Sequence, residues 1–224
     1  MKPKLRLPVI MNNVLDELLP SALKIDAENL NKLFNSEKIL ENIFNSPDLN
    51  FLCVFKECES RCCKNDGSRF VLISDLLLLK KAGLENHVLG KYPSAQVAMD
   101  LLKRPDDIDY HRENYVMPHL ENKTVKGQAQ CIFLNSDYTC GIYEYRPSVC
   151  RVYPFSFQTK LSKPQIFTHA NKLCPPSAHG EVNWQQLKQV ALDIIQDAQR
   201  IKQTLYLLAY KRSELSEIGL SQWL

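Results

Sequence analysis

The chain has 224 residues, 45% of them hydrophobic and 24% charged, with a formal net charge of +3. This composition excludes an intrinsically disordered protein, and the length suits one ordinary domain with appendages. Its 28 basic and 25 acidic residues are interspersed, without the basic cluster typical of nucleic-acid-binding faces. No segment approaches the roughly 18 apolar residues of a membrane-spanning helix. We therefore predict neither nucleic acid nor membrane as a partner.

The first 47 residues are predicted to form a helical N-terminal extension. Leucines and isoleucines recur at helical spacing over residues 10–45. The basic start is not followed by the apolar core of an export signal, because Asn12, Asn13 and Asp16 intrude. We therefore expect a cytoplasmic protein, in which grouped cysteines are more often metal ligands or catalytic thiols than disulfides.

A turn, a strand and a helix are predicted next. Asn65-Asp66-Gly67 is a turn signal, and residues 69–73 have the composition of a strand, which predicts a small hairpin near residues 64–73. Ser74 is the expected N-cap of a helix over residues 75–81. Gly83 is placed to end that helix in the left-handed conformation.

The second half of the chain contains one strong helix pattern. Residues 84–127 give no clear prediction beyond amphipathic fragments between prolines. Asn183 is the expected cap of a long helix, whose apolar stripe begins at Trp184 and continues to Leu205. This helix packs either on the domain or on a protein partner. No glycine-rich nucleotide-binding motif is present.

These patterns predict a mainly α fold with a small β-hairpin, in the α+β class. An irregular, cysteine-organised metal-binding domain is expected over residues 48–180. The C-terminal long helix and tail, residues 181–224, are expected to pack on that domain.

The eight cysteines are the candidate metal ligands. Four fall within eleven residues, and a gap of 67 residues separates them from the other four. Grouped thiolates select zinc, iron–sulfur clusters or copper(I). Four disulfides, or eight ordinary buried cysteines, are less favoured interpretations of such grouping. The predicted ligands are Cys53, Cys58, Cys62, Cys63, Cys131, Cys140, Cys150 and Cys174.

The spacing favours an iron–sulfur cluster, of the 4Fe–4S type, over zinc. In extended chain the side chains of Cys62 and Cys63 point to opposite faces, which suits two iron atoms better than one tetrahedral ion. The four-residue gap from Cys53 to Cys58 resembles plant-type iron–sulfur spacing, although the next gap is one residue too long. Zinc remains the alternative, but the gaps of eight and nine residues in the second group are unlike zinc knuckles.

Residues beside the ligands are the next candidates. Arg146 and Arg151 flank Cys150, where they either lower the thiol pKa or form a salt-bridged loop. Pro147 suits the first turn of a short helix carrying Cys150. Histidines provide further candidate nitrogen ligands, and the two nearest Cys174 are the best placed. They are His87, His111, His119, His169 and His179.

Several of these motifs together resemble a known family. They are Phe51-x-Cys53, Cys58-Glu59-x-x-Cys62-Cys63, Cys131-Ile-Phe-Leu, Cys140-Gly-Ile-Tyr-Glu and Arg146-Pro-x-x-Cys150-Arg-x-Tyr-Pro-Phe. The chain resembles the zinc- or iron-chelating cysteine-cluster family (YkgJ-like) over residues 50–175, which implies metal chelation. The first cysteine group is similar to that of flagellin lysine N-methylases, which also use S-adenosylmethionine.

Three functions follow from this pattern. The first is a metal-binding module whose cluster is structural or carries electrons or metal. The second is a cluster-dependent enzyme, such as a protein lysine N-methylase or a redox protein, and the third is an interaction protein stapled by zinc. The sequence lacks a nucleotide loop, a serine–histidine motif and a His-Glu-x-x-His motif, which favours the first function.

Overall fold

The computed structural model describes residues 15, 17–24, 58–64, 69–103, 117–153, 155–158, 165–168 and 184–224. In this part of the chain the α-helices are α1 (Ile73–Lys81), α2 (Ala95–Lys103), α3 (Ser148–Val152), α4 (Trp184–Tyr210) and α5 (Arg212–Leu215). The strands are β1 (Val88–Leu89), β2 (His119–Leu120), β3 (Asn122–Val125), β4 (Gln128–Cys131), β5 (Phe155–Gln158) and β6 (Gln165–Thr168). Shorter helical turns span Ser21–Leu23, Arg61–Cys63, Glu85–His87, Tyr143–Tyr145, Ser216–Leu220 and Ser221–Trp223.

Helix α4 is the scaffold of the molecule, because α1, α2, α3 and α5 all pack against it. Its apolar stripe places Leu205, Leu207 and Leu208 in the core, each at most 3% exposed. Helix α2 buries Ala98 and Leu101, three residues apart and so on one helical face. Burying one leucine side chain contributes roughly 1.5–3 kcal/mol. The predicted long C-terminal helix is therefore confirmed, and apolar burial is what stabilises it.

Helix α1 begins two residues earlier than predicted. Ser74 is not its N-cap; the Leu72 N–H donates instead to Asp75 Oδ2 at 3.3 Å. The Ile73 N–H donates to Thr204 Oγ1 of α4 at 3.3 Å. The helix ends as predicted at Gly83, which has a φ of +70°.

The strand predicted over residues 69–73 is wrong beyond one residue. Phe70 makes a single antiparallel bridge to His119, and Ile73 already belongs to α1. Val71 and Leu72 are completely buried, so the apolar run enters the helical core instead of pairing along a sheet. The predicted turn at residues 65–67 lies outside the described residues.

Three antiparallel strand pairs are present in the described part of the chain: β1–β2, β3–β4 and β5–β6. The β3–β4 hairpin turns at Lys126 and Gly127, which both have positive φ, as tight two-residue hairpin turns require. Its register pairs Asn122 with Cys131, so the hairpin delivers a cysteine at its end. The mainly α fold with small β-hairpins is confirmed.

The described part of the N-terminal extension packs on the core. Leu15 and Leu19 are 6% and 5% exposed, within the main hydrophobic cluster. The Leu23 carbonyl accepts hydrogen bonds from Gln199 (3.0 Å) and Gln203 (2.8 Å) of α4. Among the described residues, no helix combines the length and apolar character needed to span a membrane.

Candidate metal centre

The first cysteine segment, residues 58–64, is a tight turn. Glu59 and Ser60 both have left-handed backbone angles, φ +51° and +53°, which cost about 1–2 kcal/mol each for residues other than glycine. The turn is held because Ser60 Oγ donates to the Tyr138 carbonyl at 2.6 Å, and Ser60 is only 3% exposed. Buried Cys58 precedes the turn, and Arg61–Cys63 follows it as one 3₁₀ turn. This hydrogen bond ties the first cysteine group to the loop of the second.

The second group begins where the β3–β4 hairpin ends. Cys131 is the last residue of β4, and Cys140 forms a bridge with Leu134 as the chain folds back. The Gly141 N–H donates to the Phe133 carbonyl at 2.8 Å. A Cβ at Gly141 would lie 3.2 Å from that same carbonyl oxygen, so glycine allows this close approach. The fold-back brings Cys131 and Cys140 near each other.

Cys150 lies in the middle of α3, the predicted short helix, although Pro147 precedes that helix as its N-cap and does not lie in its first turn. The Cys150 N–H donates to the Pro147 carbonyl at 2.9 Å. Because α3 packs on α4, the long helix fixes the position of the short helix that carries Cys150.

Five of the predicted ligands converge in one group. The Cys63 thiol is hydrogen bonded to Cys62 and interacts electrostatically with Cys131, Cys140 and Cys150. Two sequence groups that are 67 residues apart therefore face the same site. Buried Cys58 lies at the entrance to the first turn, whereas Cys53 and Cys174 lie outside the described residues.

The surroundings of four of these thiols oppose their ionisation. Burial raises the pKa of Cys131, Cys140 and Cys150 above its ordinary value. The hydrogen bond with Cys62 raises the pKa of Cys63, and burial adds to this effect. Metal binding requires thiolates, so loading the site must release protons.

Two arginines and two backbone amides lower the thiol pKa values, against the effect of burial. Arg69 lowers the pKa of three thiols, Cys63, Cys131 and Cys150, and Arg146 lowers the pKa of Cys63 and Cys140. Backbone N–H groups also favour two thiolates, that of Phe133 at Cys131 and that of Ile142 at Cys140. These contacts favour the thiolates. Burial, and at Cys63 the hydrogen bond with Cys62, outweighs them, so the net thiol pKa values stay above the ordinary value.

Arg69 is a candidate site residue that the sequence patterns did not reveal. It is 5% exposed, and its Nη1 donates to Asn122 Oδ1 at 2.7 Å while Nη2 donates to the Cys62 carbonyl at 3.4 Å. It therefore links the first cysteine segment to β3 and places a cation among the thiols. Its one sequence signal was a charged residue at the head of the buried run that begins at Val71.

The two arginines that flank Cys150 have different roles. Arg146 stacks over the Tyr143 ring, 3.6 Å from its centroid, and acts on the thiols as predicted. Arg151 turns away: its Nη2 donates to Asp75 Oδ1 at 3.2 Å, and its Nη1 donates to the Arg146 carbonyl. The salt-bridged loop is the right interpretation for Arg151, and the lowering of thiol pKa is right for Arg146.

The donor set fits zinc or iron, because soft thiolates with nearby N–H donors and cations suit both. Within the described residues, however, no three histidine, cysteine, aspartate or glutamate side chains are arranged to hold an ion. The thiols share a site without standing in coordination geometry, so their role as ligands stays a prediction. Of the candidate histidines, His87 pairs through Nδ1 with Glu121 at 2.9 Å. His111, His169 and His179 lie outside the described residues.

Comparison with known proteins identifies the family. Residues 52–175 match the family model described as "CxxCxxCC: Putative zinc- or iron-chelating domain". This chain spaces its first cysteines more widely than that name, with four residues between Cys53 and Cys58 and three between Cys58 and Cys62. Neither the curated proteins nor the solved structures gave a match. Because the matched segment covers more than half of the chain, the protein belongs to this family of zinc- or iron-chelating cysteine domains.

Proposed function

We propose that the protein is a cytoplasmic metal-binding module that holds an iron–sulfur cluster or zinc through cysteine thiolates. One observation carries the proposal: thiols from two groups far apart in sequence interact with Cys63, together with two arginine side chains. The proposed ligands in the described part are Cys58, Cys62, Cys63, Cys131, Cys140 and Cys150. Cys53 and Cys174 complete the proposed set.

An iron–sulfur cluster is the preferred occupant. One tetrahedral zinc ion uses four ligands, whereas five thiols interact within this group. Because a 4Fe–4S cluster also takes four thiolates, this surplus favours two metal sites of either kind, and the preference for iron–sulfur rests on the spacing of the cysteines in the sequence. Thiolate-ligated clusters carry negative charge, and Arg69 and Arg146 would offset it. When bound, such a cluster would supply one-electron redox chemistry, whereas zinc would supply a structural cross-link.

Metal analysis of anaerobically purified protein tests the proposal. Iron with inorganic sulfide and broad visible absorbance is expected, and colourless protein with stoichiometric zinc would establish the alternative occupant. The variant Cys131→Ser, prepared identically, should lose most of the metal. Protein that binds neither metal after reconstitution under reducing conditions would overturn the proposal.

The similarity of the first cysteine group to flagellin lysine N-methylases favours a second candidate, a cluster-dependent enzyme. A methylase must bind S-adenosylmethionine, so equilibrium dialysis of the metal-loaded protein with this molecule is the direct test. Saturable binding would support the enzyme, and its absence would leave the metal-binding module.

A further inference from the structure

One buried carboxylate joins the starts of two helices. Asp75, in the first turn of α1, is 2% exposed. Its Oδ2 accepts from the Leu72 N–H at 3.3 Å and from the Ser148 N–H at 3.1 Å. Its Oδ1 accepts from Ser148 Oγ at 2.9 Å and from Arg151 Nη2 at 3.2 Å. Asp75 therefore satisfies backbone donors at the N-termini of both α1 and α3.

Helix α3 depends on such contacts because it has only five residues. Helices of this length are unstable on their own, and their first N–H groups have no partner within the helix. Here Asp75 accepts from the backbone of Ser148, and Arg151 Nη2 donates to Ser148 Oγ at 2.6 Å. Arg200 of α4 donates to the same hydroxyl at 3.3 Å. The helix that carries Cys150 is thus fixed to α1 and α4 through one polar cluster.

Stability alone is a poor explanation for this cluster. A buried ion pair is often no more stabilising than apolar residues of similar volume, because desolvation offsets the attraction between the charges. Its directional bonds instead define one arrangement of the partners. In this molecule the partner is the helix whose central residue is Cys150, two positions after Ser148.

We propose that Asp75 is a positioning residue of the metal centre, which fixes α3 so that the Cys150 thiol faces the other cysteines before metal binds. The inference rests on the proposed metal-binding function. It assigns no chemistry to Asp75 itself, which acts through Ser148 and Arg151 on the placement of Cys150.

Two variants test this role, with a third as a control of global stability. Asp75→Asn removes the charge that Arg151 faces, and Ser148→Ala removes the hydroxyl while keeping a residue that favours helix. Leu215→Ala creates a cavity on α5, outside the cysteine segments and the Asp75 cluster. The readouts are zinc affinity by chelator competition and the alkylation rate of Cys150 in metal-free protein, followed by peptide mass spectrometry.

We expect Asp75→Asn and Ser148→Ala to weaken zinc binding by about tenfold or more, as for outer-shell partners of metal ligands. Cys150 should also be alkylated faster in both variants. Leu215→Ala should lower thermal stability and leave both readouts unchanged. If Asp75→Asn does not fold, Ser148→Ala decides alone.

Failure of the positioning role and failure of the proposed function would give different results. Wild-type zinc affinity and Cys150 protection in folded Ser148→Ala would overturn the positioning role. A wild-type protein that binds no metal would instead overturn the proposed function, and the alkylation rates would still decide whether Asp75 places Cys150.

Discussion

The helical core and the cysteine region are built in different ways. In the core, α1, α2 and α4 carry apolar side chains that are completely buried, such as Leu76, Leu101 and Leu207. The cysteine region, residues 58–64 and 117–153, consists of three-residue turns, strands of two to four residues and the five-residue α3. It is held by directed bonds, for example from Lys123 Nζ to the carbonyls of Ile132 (3.0 Å) and Leu134 (2.7 Å). Apolar burial maintains the first region, whereas the second relies on specific polar contacts.

The two regions share a boundary that limits this contrast. Cys131, Leu134 and Ile142 belong to the main hydrophobic cluster, so the base of the cysteine region is anchored in the core. Cys62 and Cys63 are only partly buried, and hydrogen bonds from Ser60 and Arg69 connect their turn to the rest of the fold. Ligand removal should therefore disturb the first cysteine segment before it disturbs the helices.

The largest expected effect is loss of metal without loss of the core. Replacing both Cys62 and Cys63 by serine should abolish nearly all metal binding, because Cys63 interacts with every other thiol of the converging group. Most of the helical circular dichroism should remain, since the apolar core is untouched. Ser136→Ala, an exposed change in the second group, is the matched control. Full metal content and unchanged thermal stability in the double variant would show that these two cysteines are not ligands.

The converse change should affect the core and spare the site. Leu208→Ala removes a completely buried side chain from α4 and should lower the free energy of unfolding by about 2–5 kcal/mol. Metal content per folded chain should not change. Denaturant unfolding and metal analysis of one preparation measure both quantities, with Leu89→Ala, 45% exposed, as the control. Metal loss in Leu208→Ala would mean that the two regions are not separable.

Features set by local sequence were predictable. The stripe of α4, the left-handed Gly83 and the short helix α3 beside Pro147 depend on residues within a few positions of each other. The β3–β4 hairpin was not predicted, because only Gly127 marked its turn.

Features set by distant contacts were not predictable. Ser60 adopts its left-handed angle because it bonds to Tyr138, 78 positions away. The roles of Arg69 and Asp75 likewise depend on partners 53 and 73 positions away. The convergence of the cysteines could be expected from chemistry, but the buried charges around them could not.

Asp197 of α4 should make the stability of the protein depend on pH. Burial, together with the charge of Asp75, raises the pKa of Asp197 to about 7, despite Ser148, Arg200 and Arg151, which lower it. The ordinary value is about 3.9, so between these pH values the folded state binds the proton more readily than the unfolded state. Stability should therefore fall as pH rises from about 4 to 7, by up to about 1.4 kcal/mol per pH unit from this group. Asp197→Asn should flatten that slope in metal-free protein; an unchanged slope would contradict the assignment.

The smallest expected effect concerns the cation among the thiols. Arg69 lowers the pKa of Cys63, Cys131 and Cys150, so replacing it by glutamine should raise those pKa values further. Protons then compete more strongly with metal, and zinc affinity at pH 7 should fall by about tenfold, which is about 1.4 kcal/mol. Because the deficit comes from proton competition, it should stay nearly constant while pH is below the raised thiol pKa values and narrow only as pH approaches them. Competition with a chromophoric chelator across a pH series measures both the loss and its slope.

Two further variants separate charge from packing at this position. Arg69→Lys keeps the positive charge and should recover part of the affinity, although it loses the forked contacts to Asn122 and the Cys62 carbonyl. Arg61→Gln removes an exposed arginine from the same segment and should leave zinc affinity nearly unchanged. If Arg61→Gln and Arg69→Gln weakened zinc binding equally, general surface charge would explain the effect. If Arg69→Lys were as weak as Arg69→Gln at every pH, geometry would matter and the electrostatic role of Arg69 would be wrong.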